Sequence, residues 1–401
     1  MTEPSGPLKG LRVLDLTRVL AGPTCTQMLG DLGADIIKIE RPGAGDDTRG
    51  FAPPFWPGTE ESAYFLGVNR NKRSVTLDLA APEGQAVIHR LLEHCDILVE
   101  NFKVGALAKY GLGWEQLRPK HPRLIYCSIT GFGQTGPYAP RPGYDALIQA
   151  MGGVMSLTGE PGGAPQKVGI PVADLFAGLY GCIGILAAVN HRHTTGEGQL
   201  VDIGMLDTHV AWLANQGMNF LATGENPPRL GNQHPNISPY QEFPTKNGYI
   251  ILAVGNDPTF ERFCRAFGCA HLLEDERFST NPKRVANRDL VTATLTPVMM
   301  SRTTDEWVEA LEREKIGCGP INTLSQVFAD PHVRARGMVA RMAHASGAEI
   351  SVIANPVKLS ATPADLRSPP PVLGQHSEEV LGGLLGMGAA DIAALRAKGV
   401  V

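Results

Sequence analysis

The sequence predicts an α/β protein built on a mostly parallel sheet, with a second, smaller domain. Three observations carry this. Short apolar strands alternate with helices through the first half, as in a parallel sheet crossed over by helices. At 401 residues the chain is too long for one small core. Near Asn226 the text becomes Pro-rich and polar (NPPRLGNQHPNISPYQEFP), setting the first half apart from a segment with its own strand and helices.

The elements follow in order. RVLDL (Arg12 to Leu16) reads as a buried strand, and Pro23 to Leu32 as a helix with proline in its first turn. DIIKIE (Asp35 to Glu40) is a second strand. NRNKRS (Asn69 to Ser74) reads as a solvated loop before a strand. Pro82 to His94 is a helix, and Ile97 to Glu100 and Leu124 to Ile129 are further strands. GYDALIQA (Gly143 to Ala150) starts a helix with Asp145 as its cap. A long apolar helix follows Asp174, uncharged from Leu175 to Val189. TTGEGQ (Thr194 to Gln199) is a turn, and LVDIGML begins as a strand. In the second segment YIILAV (Tyr249 to Val254) is a strand, with helices over Thr259 to Phe267 and Thr304 to Arg313. PADLRSPPPVLGQHS (Pro363 to Ser377) reads as a linker before a last helix over Ala390 to Lys398.

Composition narrows the function. Hydrophobic residues make up 43% and charged residues 19%, the balance of a globular protein. A net charge of -4 and the lack of a basic block argue against nucleic acid. The N-terminal text MTEPSGPLKG reads as neither a signal nor a transit peptide, and the seven scattered cysteines fit a reducing compartment. The expectation is a cytoplasmic protein without a membrane span, its longest apolar run a buried helix.

Candidate chemistries are then few. The turn TRVLAGP lacks GxGxxG, which disfavours a dinucleotide. His191 and His193 have no ligand-spaced partners, so no metal is expected; His89 and His94 belong to one amphipathic helix. No cysteine has a neighbouring base, and no GxSxG elbow occurs. Two carboxylates at helix starts remain, Asp145 and Asp174. An Asp there is either a cap or, held and ionised, a nucleophile. The local pattern favours the cap.

Several stretches together resemble the family III coenzyme A transferases, the carnitine-dehydratase and bile-acid-inducible type. They are VLDLTRVLAGP (Val13 to Pro23), KIERPGAGDDTR (Lys38 to Arg49), VNRNKRSVTLDL (Val68 to Leu79), VENFKVGALAKYGLG (Val99 to Gly113), ITGFGQTGPYAPRPGYD (Ile129 to Asp145), VGIPVADLFAG (Val168 to Gly178), GPIN (Gly319 to Asn322) and LGQHS (Leu373 to Ser377). The resemblance covers almost the whole chain. It implies a Rossmann-like large domain from residues 1–225 and 326–401, a small α+β domain over 226–325, and an interlocked homodimer.

By the same resemblance Asp174 falls on the family nucleophile. CoA contacts fall on Leu20, Ala21, Arg41, the stretch Leu77 to Ala80, Asn101 and Phe102, and Lys109 stands where some members have arginine. Asp145 falls beside the active centre. Gly255 and Asn256, in VGNDPTF, stand where some members carry a run of glycines, which puts a mobile glycine lid in doubt. The racemase branch has Gly-His-Asp where this chain has Gly-Tyr-Asp, and Tyr144, with a reference pKa of about 10, is a poor base for a carbon acid. The implied activity moves CoA between carboxylates through an aspartyl anhydride and an aspartyl-CoA thioester, with no cofactor beyond the CoA substrate. Succinyl-CoA and a dicarboxylic acid such as glutarate are the expected pair, Arg18 or His234 meeting the distal carboxylate. A 2-methylacyl-CoA racemase and a non-catalytic CoA-binding protein stay open as alternatives.

Overall fold

The computed structural model describes residues 6–401; the first five residues of the N-terminal stretch read above lie outside the described residues. Six parallel strands form the main sheet: β1 (Arg12–Asp15), β2 (Asp35–Glu40), β3 (Lys72–Thr76), β4 (Ile97–Glu100), β5 (Ile125–Thr130) and β6 (Leu200–Gly204). Their spatial order is β3-β2-β1-β4-β5-β6, the doubly wound order of Rossmann-like sheets. Strand order reverses between β1 and β4, where Val13 to Asp15 pair with Ile97 to Val99. In such sheets ligands bind beyond the carboxyl ends of the strands at that reversal.

The period-two alternation of each strand divides its residues between two cores. Val13, Ile36, Ile97, Val99, Ile125 and Cys127 face one layer. It is formed by α1 (Ala21–Asp31) and the long central helix, whose Cys25, Leu29, Ala177, Cys182 and Ile185 lie in the same core. Leu14, Ile37, Ile39, Leu98 and Tyr126 face the other. There the helix over Pro82–Leu92 packs with the C-terminal helices Ser377–Gly383 and Ala389–Ala397. Both faces are covered, so these strands read as near-continuous apolar runs. In chain order the remaining helices of the first half are α2 (Ala63–Gly67), α3 (Pro82–Leu92), α4 (Trp114–Leu117), α5 (Asp145–Met151), α6 (Val154–Leu157), α7 (Val172–Thr195) and α8 (Met205–Ala211).

Helix α7 is long and apolar enough to cross a membrane by composition alone, yet its buried stripe of Ala173, Ala177, Gly178, Gly181, Cys182, Ile185 and Ala188 makes it a core helix. Small residues let it approach α1: a Cβ on Gly178 would stand 2.6 Å from the Ala21 carbonyl oxygen. The helix continues to Thr195 and stops at Gly196 in the left-handed conformation, so the predicted turn starts inside the helix.

The chain divides into two compact units. The larger comprises the chain up to Val154, Lys167–Leu213 and His332–Val401; the smaller comprises Met155–Gln166 and Ala214–Pro331. The smaller unit has an antiparallel sheet of β7 (Tyr240–Pro244), β8 (Tyr249–Ala253) and β9 (Gly317–Pro320) over a core that includes Phe243, Phe260, Phe263 and Trp307. A hairpin of β10 (Val339–Ala343) and β11 (Glu349–Ile353) belongs to the larger unit.

Two expectations are corrected. NRNKRS is not solvated: Asn69, Arg70, Asn71 and Lys72 are all at most 3% exposed. Each finds a partner, which is what permits polar burial. Arg70 grips Asp31 with two nitrogens at 2.9 and 2.6 Å, and Lys72 lies 3.2 Å from Asp15. Nor is Pro363 to Ser377 a free linker. Ser368 O accepts from Asn71 N–H, His376 N–H donates to Ser74 O, and Ser377 Oγ accepts from Thr76 N–H. The proline-rich strap covers edge strand β3, which would otherwise present an open ladder.

Candidate active site

The loops after β1 and β4 are tied to each other at the strand-order reversal. Arg18 N–H donates to Asn101 Oδ1 at 2.9 Å, and Asn101 Nδ2 donates back to Arg18 O at 2.7 Å. Next to this clasp Val19 adopts φ 69°, a costly conformation for a β-branched residue. Its N–H is held by Asp46 Oδ1 at 3.2 Å. Asp46 is fixed in turn by Lys38 Nζ at 2.8 Å, which also donates to Thr17 O. Burial opposes ionisation of Asp46, yet the Lys38 ammonium and the Thr48 donors hold its carboxyl down at about 2. Glu40, Arg49 and Glu61 extend this buried ion network.

Two cavities share the wall made by Arg18 and Phe102, the Arg18 guanidinium lying 5.5 Å from the Phe102 ring centre. The first, about 280 Å³, is lined by Arg41, Leu77, Ala80 and Tyr110 among others. Lys109 stacks on that Tyr110 at 4.5 Å. The second, about 370 Å³, is lined by Leu20, Ala21, Asn101, Tyr144, Asp145 and Asp174 among others. The expected residues of the larger unit are thus gathered around the two cavities. His234, Gly255 and Asn256 belong to the smaller unit. His234 stacks on Tyr240, and Asn256 caps the helix Asp257–Ala266 through Thr259 N–H.

Local pattern makes each carboxylate the cap of its own helix, and the structure shows otherwise. Asp174 is the third residue of α7, whose cap position is Pro171 and which receives no side-chain cap bond there. Asp145, first residue of α5, reaches across instead. Its Oδ1 accepts from Ala173 N–H at 2.9 Å, and its Oδ2 accepts from Gln149 Nε2 at 2.7 Å. Gln149, wholly buried, also accepts from Val168 N–H, which ties α5 to the segment leading into α7. Among the described residues no hydrogen-bond partner satisfies the Asp174 carboxylate.

The consequence corrects the expectation of a nucleophile ionised at neutral pH. Burial, and then repulsion from Asp145, push the Asp174 carboxyl up to about 7. The same charges reach Tyr64 on α2, a residue the sequence did not single out. Its phenol is pushed up to about 12 by burial, then by Asp174, Asp145 and Asp46. Glu100, the last residue of β4, is raised by burial to about 7 while accepting from Phe102 N–H at 2.8 Å. Arg141 and Lys103, also unremarked in the sequence, line the Asp174 cavity.

A doubly wound sheet with a half-buried, unpartnered carboxylate in a cavity at its strand-order reversal defines an α/β enzyme. The chain belongs to CoA-transferase family III, whose model matches residues 8–377. It is 48% identical to a succinate–glutarate CoA-transferase of Agrobacterium fabrum over 379 residues, 94% of this chain and 95% of that one. It is 42% identical to the human succinyl-CoA:glutarate CoA-transferase over 395 residues, 98% of this chain and 90% of that one. A CAIB/BAIF family protein from Brucella suis superposes with a TM-score of 0.84 at 46% identity, covering 95% of this chain and 100% of that chain.

Proposed function

We propose that this chain transfers coenzyme A from succinyl-CoA to a dicarboxylic acid of glutarate type, through covalent adducts on Asp174. The observation that carries the reading is the free Asp174 carboxylate, at the start of a helix whose first turn is already capped by Asp145. A carboxylate with a raised pKa is a better nucleophile than one quenched by hydrogen bonds, provided the pH leaves it ionised. The relatives' named reactions support the substrate class.

The cycle balances without an external energy source. Asp174 attacks the acyl carbonyl, the C–S bond breaks, and CoA leaves as thiolate, giving a mixed anhydride. The thiolate attacks the aspartyl carbonyl and releases the donor carboxylate, leaving an aspartyl-CoA thioester. The acceptor carboxylate attacks that carbonyl and expels the thiolate. The thiolate then takes the new acyl group, and Asp174 departs as carboxylate.

In this reading Leu20, Ala21, Arg41, Leu77, Ala80, Asn101, Phe102 and Lys109 hold CoA. Arg41, exposed and only 3.8 Å from Asp47, and Lys109 offer cations for its phosphates. The active form is an interlocked homodimer, with His234, Gly255 and Asn256 supplied across the subunits. Exposed apolar side chains on the larger unit, Ile183, Val210 and Trp212, support burial by a second copy. The test is to incubate the enzyme with succinyl-CoA, quench with borohydride or hydroxylamine, and map the label by mass spectrometry. Label on Asp174, absent in Asp174→Ala, and conversion of glutarate to glutaryl-CoA are expected. Unlabelled protein that exchanges α-hydrogen of a 2-methylacyl-CoA with deuterated solvent would mean a racemase instead.

A further inference from the structure

We propose that Arg141 binds the distal carboxylate of the acceptor; the proposal rests on the transferase reading above and names what selects a dicarboxylate. Arg141 lines the cavity that holds Asp174. Its guanidinium lies 3.9 Å from the centre of the Tyr138 ring, and Tyr138 meets Phe132 edge-on at 5.6 Å. Phe132 is anchored in the core of the sheet. Arg141 is exposed, and this ladder seats its guanidinium over the Tyr138 ring while leaving its N–H edge free. Among the described residues that edge donates to no acceptor and pairs with no acid.

The loop that carries Arg141 is itself pinned. Its ends meet where Gly131 and Gly143 touch: a Cβ on Gly131 would stand 2.5 Å from the Gly143 Cα. Prolines 140 and 142 restrict the backbone on either side of Arg141. A planar cation seated over a ring, with an open fork, is matched to one carboxylate by two parallel hydrogen bonds.

The other cations of the cavity are less suited. Arg18 is engaged by Asp47 at 3.0 Å and forms the wall shared with the neighbouring cavity. Lys103, exposed as Arg141 is, is a point charge on a flexible stem and has no ring contact to seat it. Arg141 also sits on the same segment as Asp145, the residue that caps the nucleophile's helix. Arg141 and Asp174 line the same cavity, where a second carboxylate with no cation would remain uncompensated.

The test uses the ping-pong character of the cycle, in which kcat/KM for the acceptor reports only the half-reaction that the acceptor enters. Wild type, Arg141→Met and Arg141→Lys are compared with glutarate and with valerate, its five-carbon monocarboxylate counterpart. Arg141→Met keeps length and packing on Tyr138, and circular dichroism checks its fold. Each hydrogen bond to a charged group corresponds to roughly 10- to 150-fold, so losing the pair predicts a fall in kcat/KM for glutarate of at least that size. Valerate changes little, and Arg141→Lys recovers part of the loss. Equal losses with both acceptors, or full retention with glutarate, would overturn the assignment. So would a fall in kcat/KM for butyryl-CoA as donor, which marks a CoA-binding role. A wild-type enzyme that handles valerate as well as glutarate defeats the dicarboxylate reading itself, whereas a preference that survives in Arg141→Met defeats only Arg141.

Discussion

Asp174→Asn removes the proposed nucleophile, and it also removes a carboxylate that the fold holds at a cost. The folded protein raises this carboxyl from 3.8 to about 7, by burial first and the Asp145 charge second. Between those two values the native state retains a proton that the unfolded chain has released. Wild-type stability therefore falls as pH rises from about 4 to about 7 and levels off above. The full difference corresponds to about 4 kcal/mol, and solvent screening at a partly open site trims it to roughly 2–4 kcal/mol. Asparagine cannot ionise, so the variant lacks this term at every pH. The expected signature is a stability advantage of Asp174→Asn over wild type that is smallest near pH 4 and grows toward pH 7, with a slope of at most about 1.4 kcal/mol per pH unit. Urea unfolding of the ligand-free proteins across that range measures it. Packing and hydrogen bonds of the new amide shift the whole curve but not its slope. A difference independent of pH, or one that shrinks toward neutrality, refutes the reasoning that Asp174 is raised by its surroundings.

Asp145→Asn keeps an oxygen to accept from Ala173 N–H but removes the neighbouring charge. The acid limb of kcat/KM for succinyl-CoA then moves to lower pH, by less than half of the rise from 3.8 to about 7, because burial is the larger cause; Glu100 titrates in the same range, so the comparison is between variant and wild type. Gly178→Ala forces a Cβ against the Ala21 carbonyl and should lower stability by about 1–3 kcal/mol in thermal or urea unfolding, whereas a neutral effect would show that α1 and α7 can part without cost. Asp31→Ala strands the donors of Arg70, Asn71 and Asn355 and should cost about 3–5 kcal/mol, measured in the same way, and a loss within experimental error would contradict the buried network.

The fold was legible because its signal is local. Short, near-continuous apolar runs such as RVLD, DIIKIE and ILVE mark strands covered on both faces, and α3 begins at Pro82 while α7 stops at Gly196. What local pattern missed is burial of charge. Asn69 to Lys72 read as solvent-exposed because charge usually is, and only the partners Asp31 and Asp15, far back in the sequence, make burial tolerable. The same separation explains the strap: its prolines look like a linker until Asn71, Ser74 and Thr76 appear as its hydrogen-bond partners. Lys38, Glu40, Asp46 and Arg49 come from one of the stretches that resemble the transferases. They turn out to brace the loops at the site through buried pairs. Tyr64 lies outside the stretches that resemble the transferases and Arg141 inside one of them, but neither was singled out until the fold set Arg141 in the Asp174 cavity and Tyr64 within reach of the Asp174 charge.

Asp174 and Asp145 show why the local reading of a helix start had to fail at this point. An aspartate in a first helical turn normally lowers its own pKa by accepting from the free N–H groups around it. Such a carboxylate is stable and a poor nucleophile. Here an acceptor is supplied from α5, 29 residues upstream, so Ala173 N–H has its partner without any contribution from Asp174. Asp174 is left in a half-buried position with a second negative charge close by, and both effects favour its neutral form. The helix start thus fixes its backbone without quenching its oxygens. A cationic partner would ionise it more cheaply, but would also hold it in the ground state and oppose attack on a carbonyl. In the proposed cycle the charge leaves Asp174 when the anhydride forms and returns when the thioester product departs. A surrounding that penalises the free carboxylate lowers the gap between it and the covalent adducts, so the cost that Asp174→Asn should reveal in stability is the same quantity that favours acylation.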